Sequence, residues 1–338
     1  MQRPVMNPSF VYDSPSKARA ARPSRLAWLW KALRFVGRLL MTSPFGKRQA
    51  FRNEEGTHAG RVFRALTYRL AFVPLLLAGF LAAIVAAATH PGRASGGVDP
   101  LSFGVYYDPV NFIADDGARL DGWLVPVLDA KRVLEEKDAT LGKRFPAVVL
   151  VHDFAGSRHQ LLPLLQPMHD SGFVVLAINL RGAASLSGEP QTFGIREALD
   201  VKAAVDMLRR RAYVDPEKIA LVGVGTGANA CLIAAAKDKS IAAMVLADPV
   251  SNFDDAFADR VGRDHKWLPP LRSLFRWTFQ VMYGADTGDL AMDNYRNVIA
   301  ERNVLLTDGR QRLMEGAQIR GVQQFLTKHL TAEVASVR

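Results

Sequence analysis

The stretch from Lys218 to Ala230 changes character halfway along, and this change constrains the fold more than any other part of the chain. Its first half is a short run of apolar residues, which is typical of a strand buried on both faces. Its second half consists of small residues and opens an alanine-rich helical pattern. Gly223, Gly225 and Gly227 lie at the junction, so the sequence predicts a strand that turns sharply into a helix.

A strand, a glycine-rich turn and a helix form the layout of a nucleophile elbow, G-x-S-x-G, in which the central residue is a serine. The elbow holds its central residue at φ above zero, which is costly for any residue with a Cβ. Here the central residue is Gly225, which removes both the strain and the hydroxyl. The pattern Gly223, Gly225, Thr226, Gly227 therefore indicates an elbow without its nucleophile, although three alternating glycines also fit an ordinary turn.

The excess positive charge is confined to the N-terminal part of the chain. The sequence has a net charge of +10, and residues 1–65 hold 13 basic and 3 acidic residues, which accounts for all of it. The remainder has no overall basic bias, so no nucleic-acid partner is predicted. The single cysteine, Cys231, excludes an internal disulfide and a multi-cysteine metal site, and we predict neither a metal nor a cofactor.

Leu70 to Thr89 is a run of twenty residues without a charge, a length that matches the hydrocarbon core of a bilayer. A buried core helix and a cleaved signal peptide are the alternatives. The charged leader before it is too long for an ordinary signal peptide, which favours an uncleaved transmembrane helix at residues 66–90.

The charges that flank this run predict its orientation. Arg61, Arg64 and Arg69 precede it, whereas residues 90–97 are nearly neutral. The positive-inside rule then places the N-terminus in the cytoplasm and the C-terminal domain across the membrane. We expect a single-pass protein of a bacterial inner (plasma) membrane with a periplasmic domain.

The basic cytoplasmic leader, residues 1–65, contains a stretch at about 24–40 with the periodicity of an amphipathic helix. Such a helix lies on an anionic membrane surface or docks on a partner protein, and the pattern favours neither. The residues predicted at the membrane interface, here and before the apolar run, are Trp28, Trp30, Lys31, Arg34, Arg38, Arg61, Arg64 and Arg69.

After a linker at residues 91–105, residues 106–338 have the pattern of one globular domain. A β-hairpin is predicted around Asp115-Asp116-Gly117, a typical turn signal. Beyond it strands and helices alternate, which indicates a mostly parallel sheet with helices on both faces. The predicted strands are Val110–Ala114, Leu120–Val125, Ala147–Val151, Val174–Asn179, Ile219–Gly223 and Ile241–Ala247, and the helices are about His159–Ser171, Ile195–Arg210 and Thr226–Lys237.

Pro146 to Phe253 resembles the α/β-hydrolase superfamily, close to its serine peptidase and esterase-like branch. VHDFAGS at 151–157 looks like the H-G-x-x-G-S oxyanion loop, and NLRGAAS at 179–185 looks like the R-G-x-G-x-S turn. TFG at 192–194 and EALDV at 197–201 follow, and the elbow comes next, in the family's order. The resemblance implies an α/β-hydrolase fold, here with a truncated C-terminus.

A hydrolase of this family needs an activated serine, a histidine, an acid that orients it, and backbone donors for the oxyanion. The loop His152, Asp153, Phe154 carries a carboxylate where the family usually has glycine, and this charge opposes the stabilisation of an anion. Arg312 stands where the acid is expected, and Gln318 where the histidine is expected. The resemblance therefore implies a degenerate site with vestigial elbow, oxyanion-loop, acid and base positions and no catalytic residue.

Residues 251–297 are predicted to form a lid-like insertion with a large apolar load. These side chains either pack on the sheet or face a pocket, a partner or the bilayer. The residues singled out are Phe253, Phe257, Trp267, Phe275 and Trp277.

Together these features predict a catalytically inactive, membrane-anchored α/β-hydrolase-like protein. It would act as a scaffold or accessory subunit of a membrane complex, with the lipid bilayer and a membrane protein as partners. Two alternatives stay open. One is an active ester or peptide hydrolase with a non-standard nucleophile, for which Thr226 is the adjacent candidate, and the other is a small-molecule binding module.

Overall fold

The computed structural model describes residues 58–91, 97–127, 143–183, 189–262, 268–309 and 312–331. The predicted amphipathic helix at about 24–40, with Trp28, Trp30, Lys31, Arg34 and Arg38, lies outside these residues. The chain divides into two compact units, Met1–Leu77 and Ala78–Arg338.

The second unit is built on a seven-stranded sheet in the order β1-β2-β4-β3-β5-β6-β7. β1 pairs antiparallel with β2, β2 pairs antiparallel with β4, and the remaining pairs are parallel. This topology confirms the predicted fold class, with an N-terminal hairpin followed by a parallel sheet. The strands are β1 Asp108–Ile113, β2 Arg119–Val125, β3 Phe145–Val151, β4 Val174–Ile178, β5 Val214–Val224, β6 Ala243–Ala247 and β7 Asn303–Thr307.

Eight α-helices lie in the described residues. They are α1 His58–Thr89, α2 Leu162–Asp170, α3 Glu197–Arg209, α4 Thr226–Lys237, α5 Phe253–Val261, α6 Leu268–Tyr283, α7 Arg296–Glu301 and α8 Gly316–Leu330. α4 has the predicted bounds, and the helix predicted from His159 begins instead as a short 3-10 turn, Arg158–Leu161, ahead of α2.

Two hydrophobic layers cover the two faces of the sheet. Val149 faces one layer together with α3 and α4, and Val148, its neighbour in β3, faces the other together with α2 and α8. Side chains alternate across a strand, so a central strand buried on both faces must be apolar at every position. Residues 147–151 of β3 and all of β4 and β6 are buried for this reason.

α1 contains the apolar run. Phe72–Thr89 is long and apolar enough to cross a bilayer, a criterion that the core helix of a soluble protein also meets. Within the second unit, Leu81, Ile84, Val85 and Ala88 are buried. Their spacing places them on one helix face, so the last turns of α1 pack against the domain through that face. The spanning of a membrane by residues 66–90 stays a prediction.

A buried arginine fastens the turns on one side of the sheet. Arg181 follows β4, is fully buried, and donates to Asp200 of α3 and to Asp116 of the β1–β2 hairpin at 2.5 to 3.2 Å. Although burial favours the neutral form, hydrogen bonds to Asp116 and Asp200 raise the pKa of Arg181 above its ordinary value. The guanidinium therefore stays charged and ties the hairpin to the sheet.

Candidate functional site

The turn after β5 has the shape of an elbow. Gly225 lies between β5 and α4 with φ 57° and ψ −122°. A Cβ on Gly223 would lie 2.6 Å from the Ala228 Cα, and one on Gly227 would lie 2.9 Å from the Val151 carbonyl oxygen. Neither position can hold a side chain without moving backbone, so the glycines permit the close approach of α4 to β5 and β3.

Asp153 fills the space beside Gly225. Its buried carboxylate accepts hydrogen bonds from the Thr226 N–H at 2.9 Å and from the Thr226 hydroxyl at 3.3 Å. A Cβ on Gly225 would overlap this carboxylate, because the Asp153 side chain is its nearest neighbour. The carboxylate thus occupies the place that the side chain of a nucleophile would need.

The Thr226 N–H has a defined role in elbow enzymes. The residue after the nucleophile supplies one backbone donor of the oxyanion hole. Here that donor is already bonded to a resident carboxylate, so a negative charge lies where a hydrolase would stabilise a transient one. The sequence indicated that Asp153 opposes an anion, and the structure adds that Asp153 bonds to the donor itself.

Thr226 is the first residue of α4 and is only 5% exposed. The hydroxyl of Thr226 and its backbone N–H both donate to the same atom, Asp153 Oδ1. The side chain therefore completes the binding of the carboxylate.

His152 links two loops beneath the elbow. Its Nε2 accepts from the Leu180 N–H at 3.0 Å, so Nδ1 carries the proton and donates to the Asp153 carbonyl at 2.7 Å. Burial lowers the pKa of His152 from 6.5 to about 4, so the ring is neutral at pH 7. Both ring nitrogens are occupied by backbone, which leaves neither to act as a base.

The other histidines with described side chains make their contacts elsewhere. His90 bonds to the Ala86 carbonyl, His159 to Ser157, and His169 to Asp170, while His329 packs against Phe325. His265 lies outside the described residues. Within the part of the chain that the structure describes, no histidine is hydrogen-bonded to the side chain of Thr226 or Asp153.

The predicted acid and base positions follow β7. Asp308 directly follows that strand and is exposed, and Arg312 begins a short 3-10 turn. Gln318 lies in the first turn of α8 and lines the groove that also contains Asp308. Asp248, which follows β6 with φ 52°, is exposed as well.

An aromatic cluster packs next to the elbow. Phe154 stacks on Phe193 with ring centroids 5.2 Å apart, and Phe193 contacts Phe253 at 5.9 Å and Phe279 at 6.0 Å. Phe257 extends the cluster from Phe253.

Three of the lid residues predicted to face a pocket or partner, Phe253, Phe257 and Phe275, are at most 3% exposed. The cavity between them holds about 10 Å³, which is the smallest space that accommodates one water. Of the other two, Trp277 is 59% exposed on α6, and Trp267 lies outside the described residues.

Glu197 holds Phe193 in position. Its carboxylate accepts from the Thr192 N–H, the Thr192 hydroxyl and the Gly194 N–H at 2.5 to 2.9 Å. Phe193 between them adopts φ 60°, a conformation that a residue with a Cβ keeps only when its surroundings impose it. A buried carboxylate with three donors is such a constraint.

Gln191 connects the oxyanion loop to the end of α1. The side-chain oxygen of Gln191 accepts from the Ala155 N–H at 2.9 Å. The backbone N–H of Gln191 donates to the Thr89 carbonyl at 2.8 Å. The Thr89 hydroxyl lies 2.6 Å from the hydroxyl of Tyr283 in α6. Sequence reasoning missed this connection, because no local pattern relates residue 89 to residues 155, 191 and 283.

Within the described residues, no three His, Cys, Asp or Glu side chains are grouped so that they could hold a metal ion.

Comparison with known proteins agrees with the fold. Residues 146–292 match the family model for the alpha/beta hydrolase fold. Among solved structures, the esterase PF2001 of Pyrococcus furiosus superposes with a TM-score of 0.52 at 19% identity, over 72% of this chain and 98% of that one. The globular domain therefore has the α/β-hydrolase fold. At this identity the likeness shows the fold alone.

Curated relatives match only part of the chain. The uncharacterized protein Rv2307c of Mycobacterium tuberculosis is 33% identical over 160 residues, which are 47% of this chain and 50% of that protein. The polyketide transferase ATR5 of Stachybotrys chlorohalonatus is 32% identical over 149 residues, 43% of this chain and 46% of that protein. The chain thus spans about half the length of the curated relatives that it matches.

The packing of Asp153 against Gly225 predicts the effect of restoring the serine. Gly225→Ser combines a Cβ at positive φ with an overlap on Asp153, and we expect it to lower the free energy of unfolding by roughly 2 to 5 kcal/mol. Asp153→Gly/Gly225→Ser should recover part of this loss. Gly321→Ser is the control, since a Cβ there meets open space. Equal stability of Gly225→Ser and Gly321→Ser in thermal unfolding would contradict the described packing.

Burial of neutral His152 predicts a loss of stability in mild acid. The unfolded chain binds a proton near pH 6.5 and the folded chain only near pH 4, so the free energy of unfolding should fall over this range, by about 3 kcal/mol. His152→Gln should flatten this part of the pH profile. If the pH profile of His152→Gln ran parallel to that of the native protein, the assignment of His152 as a buried, neutral histidine would be refuted.

Proposed function

We propose that this protein is a non-catalytic α/β-hydrolase-fold protein, anchored in a membrane by α1, that acts as a scaffold or accessory subunit of a membrane complex. The observation that carries the proposal is the bond from the Thr226 N–H to Asp153 at a turn whose central residue is Gly225. Acyl transfer needs a nucleophile, a base and free oxyanion donors, and this turn fails in the first and the third.

The occupied donor matters as much as the missing serine. An oxyanion could reach the Thr226 N–H only after displacing a charged acceptor, and a hydrogen bond to such a group contributes about 1.5–3 kcal/mol. Loss of a single oxyanion donor costs an acyl-transfer enzyme roughly a factor of 10² to 10³ in turnover. Asp153 is therefore a second obstacle to catalysis beside the missing serine.

The names of the relatives do not oppose this proposal. An esterase shares the fold and a polyketide transferase shares part of the sequence, but a shared fold does not carry over an activity. Activity depends on the groups at the elbow, and in this chain those groups are Gly225, Thr226 and Asp153.

The anchoring role is supported by α1 and by the surface of α6. Phe72, Val73 and Leu75 are 48 to 67% exposed, which suits an apolar helix surrounded by lipid. On α6, Trp277 and Val281 lie one helical turn apart and form an exposed apolar strip, while Phe275 and Phe279 are buried. Such a strip is typical of an interaction surface and fits an accessory role.

The catalytic part of the proposal is tested by ester hydrolysis with the full-length protein in detergent, over short and long acyl chains. We expect no turnover above that of detergent alone from the native protein, from Gly225→Ser or from Asp153→Gly/Gly225→Ser. Turnover by the native protein that Thr226→Val abolishes would overturn the proposal in favour of a threonine nucleophile. Turnover by the double variant alone would show that an acid–base pair survives and that the nucleophile and Asp153 are what silence it.

The anchoring part is tested by C-terminal fusions to alkaline phosphatase and to green fluorescent protein in a bacterial host. The positive-inside rule predicts an active phosphatase and a dark fluorescent fusion, because the C-terminal domain would cross the membrane. Replacing Arg61, Arg64 and Arg69 by glutamine should weaken this bias. A fluorescent fusion with an inactive phosphatase would refute the predicted topology, and release of the protein by alkaline carbonate would refute the anchor.

A further inference from the structure

β7 is the last strand of the sheet. It pairs in parallel with β6 from Ala243↔Asn303 to Ala247↔Thr307, and in the described part of the chain no strand lies on its other side. An edge strand of this kind presents a row of backbone donors and acceptors that another chain can pair with.

The direction of the free groups follows from the ladder. The Thr307 carbonyl accepts from the Asp248 N–H at 2.9 Å, so Thr307 bonds toward β6. In a parallel ladder alternate residues bond to the same neighbour, so Asn303 and Leu305 also bond toward β6. The N–H and C=O groups of Val304 and Leu306 therefore point outward, away from the sheet.

The side chains along this edge are apolar and accessible. Leu306 is 52% exposed, and Val304 and Leu305 are half-buried. Proline, lysine and an inward-pointing charge are the usual protections of an edge, and residues 303–307 contain none of them. A groove of about 380 Å³ runs beside the strand, lined by Leu305, Leu306, Thr307, Asp308, Gln318, Gly321 and Phe325.

We propose that β7 pairs antiparallel with β7 of a second copy of this chain, about a two-fold axis at Leu305. The sequence RNVLLTD at 302–308 is self-complementary in this register. Arg302 lies opposite Asp308 of the second copy, Val304 lies opposite Leu306, and Leu305 lies opposite itself. A two-fold dimer requires each strand to meet its own copy in this way.

The outward groups select this register. The outward groups belong to even-numbered residues, so an even-numbered residue must lie opposite an even-numbered residue of the second copy. A two-fold axis that passes through a residue meets this condition, and an axis between two residues does not. An axis at Val304 leaves Asp308 beyond the overlap, and an axis at Leu306 does the same to Arg302. Only the axis at Leu305 pairs both charges, and opposite charges across a strand pair stabilise it.

The charged ends of the strand can take part in this pairing. Asp308 is exposed. Arg302 donates through Nη1 to the Asp238 carbonyl at 3.0 Å, and its guanidinium has four further N–H donors. The pairing joins two seven-stranded sheets into one and covers the β7 edge of each copy. It does not depend on whether the elbow is catalytic.

Cysteine cross-linking of the full-length protein in detergent tests the register. Leu305 lies opposite its own copy in a non-hydrogen-bonded pair, where Cα atoms are roughly 4.5 Å apart, so Leu305→Cys should form a disulfide dimer on mild oxidation. Leu306→Cys is the matched control. Leu306 is more exposed than Leu305, but its copy lies two residues along the partner strand, beyond the roughly 7 Å that a disulfide spans. Native Cys231 is fully buried and supplies the background.

Charge reversal tests the same register without a cross-link. Arg302→Asp should weaken the dimer at least tenfold in sedimentation equilibrium, and Arg302→Asp/Asp308→Arg should restore it. The proposal is overturned if the native protein is monomeric at all concentrations, or if Leu306→Cys cross-links as fast as Leu305→Cys. A monomer that dimerises only after removal of residues 332–338 would also overturn it, because the chain's own C-terminal segment would then cover the edge.

Discussion

The hydrogen bond from the Thr226 N–H to the Asp153 carboxylate determines the character of this domain. It joins the loop after β3 to the first residue of α4, and it requires that residue 225 has no side chain. Gly225 and Asp153 are therefore not two independent departures from a hydrolase. The carboxylate occupies space that is free only because residue 225 is a glycine.

The residues around Asp153 tie it to the rest of the molecule. His152 bonds to the backbone of Leu180, Phe154 stacks on Phe193, and Ala155 donates to Gln191. Through Gln191 the loop reaches Thr89 at the end of α1. Polar contacts at His152 and Ala155 and an aromatic contact at Phe154 thus hold the loop after β3 in place. This loop cannot open a substrate site without breaking several of these contacts.

Much of the fold could be predicted from the sequence, since it depends on local patterns. Buried strands such as β4 are apolar throughout, and α4 opens directly after a glycine, so both were found with nearly correct bounds. Asp153 was also recognised as out of place. The sequence does not predict that Thr226 is the partner of Asp153, because this pairing depends on how two loops that are distant in the chain meet. The same limit applies to the inward packing of Phe253 and Phe275, whose pattern fitted a surface as well as a core.

The bond between Asp153 and Thr226 implies that the elbow holds no activated nucleophile. The most direct test is to treat the full-length protein in detergent with a fluorophosphonate, which reacts with activated hydroxyl groups, and to measure the intact mass. We expect an unchanged mass under conditions in which a serine esterase is fully labelled. A stoichiometric adduct that maps to Thr226 would contradict it, because the Thr226 hydroxyl would then be a nucleophile and not a ligand of Asp153.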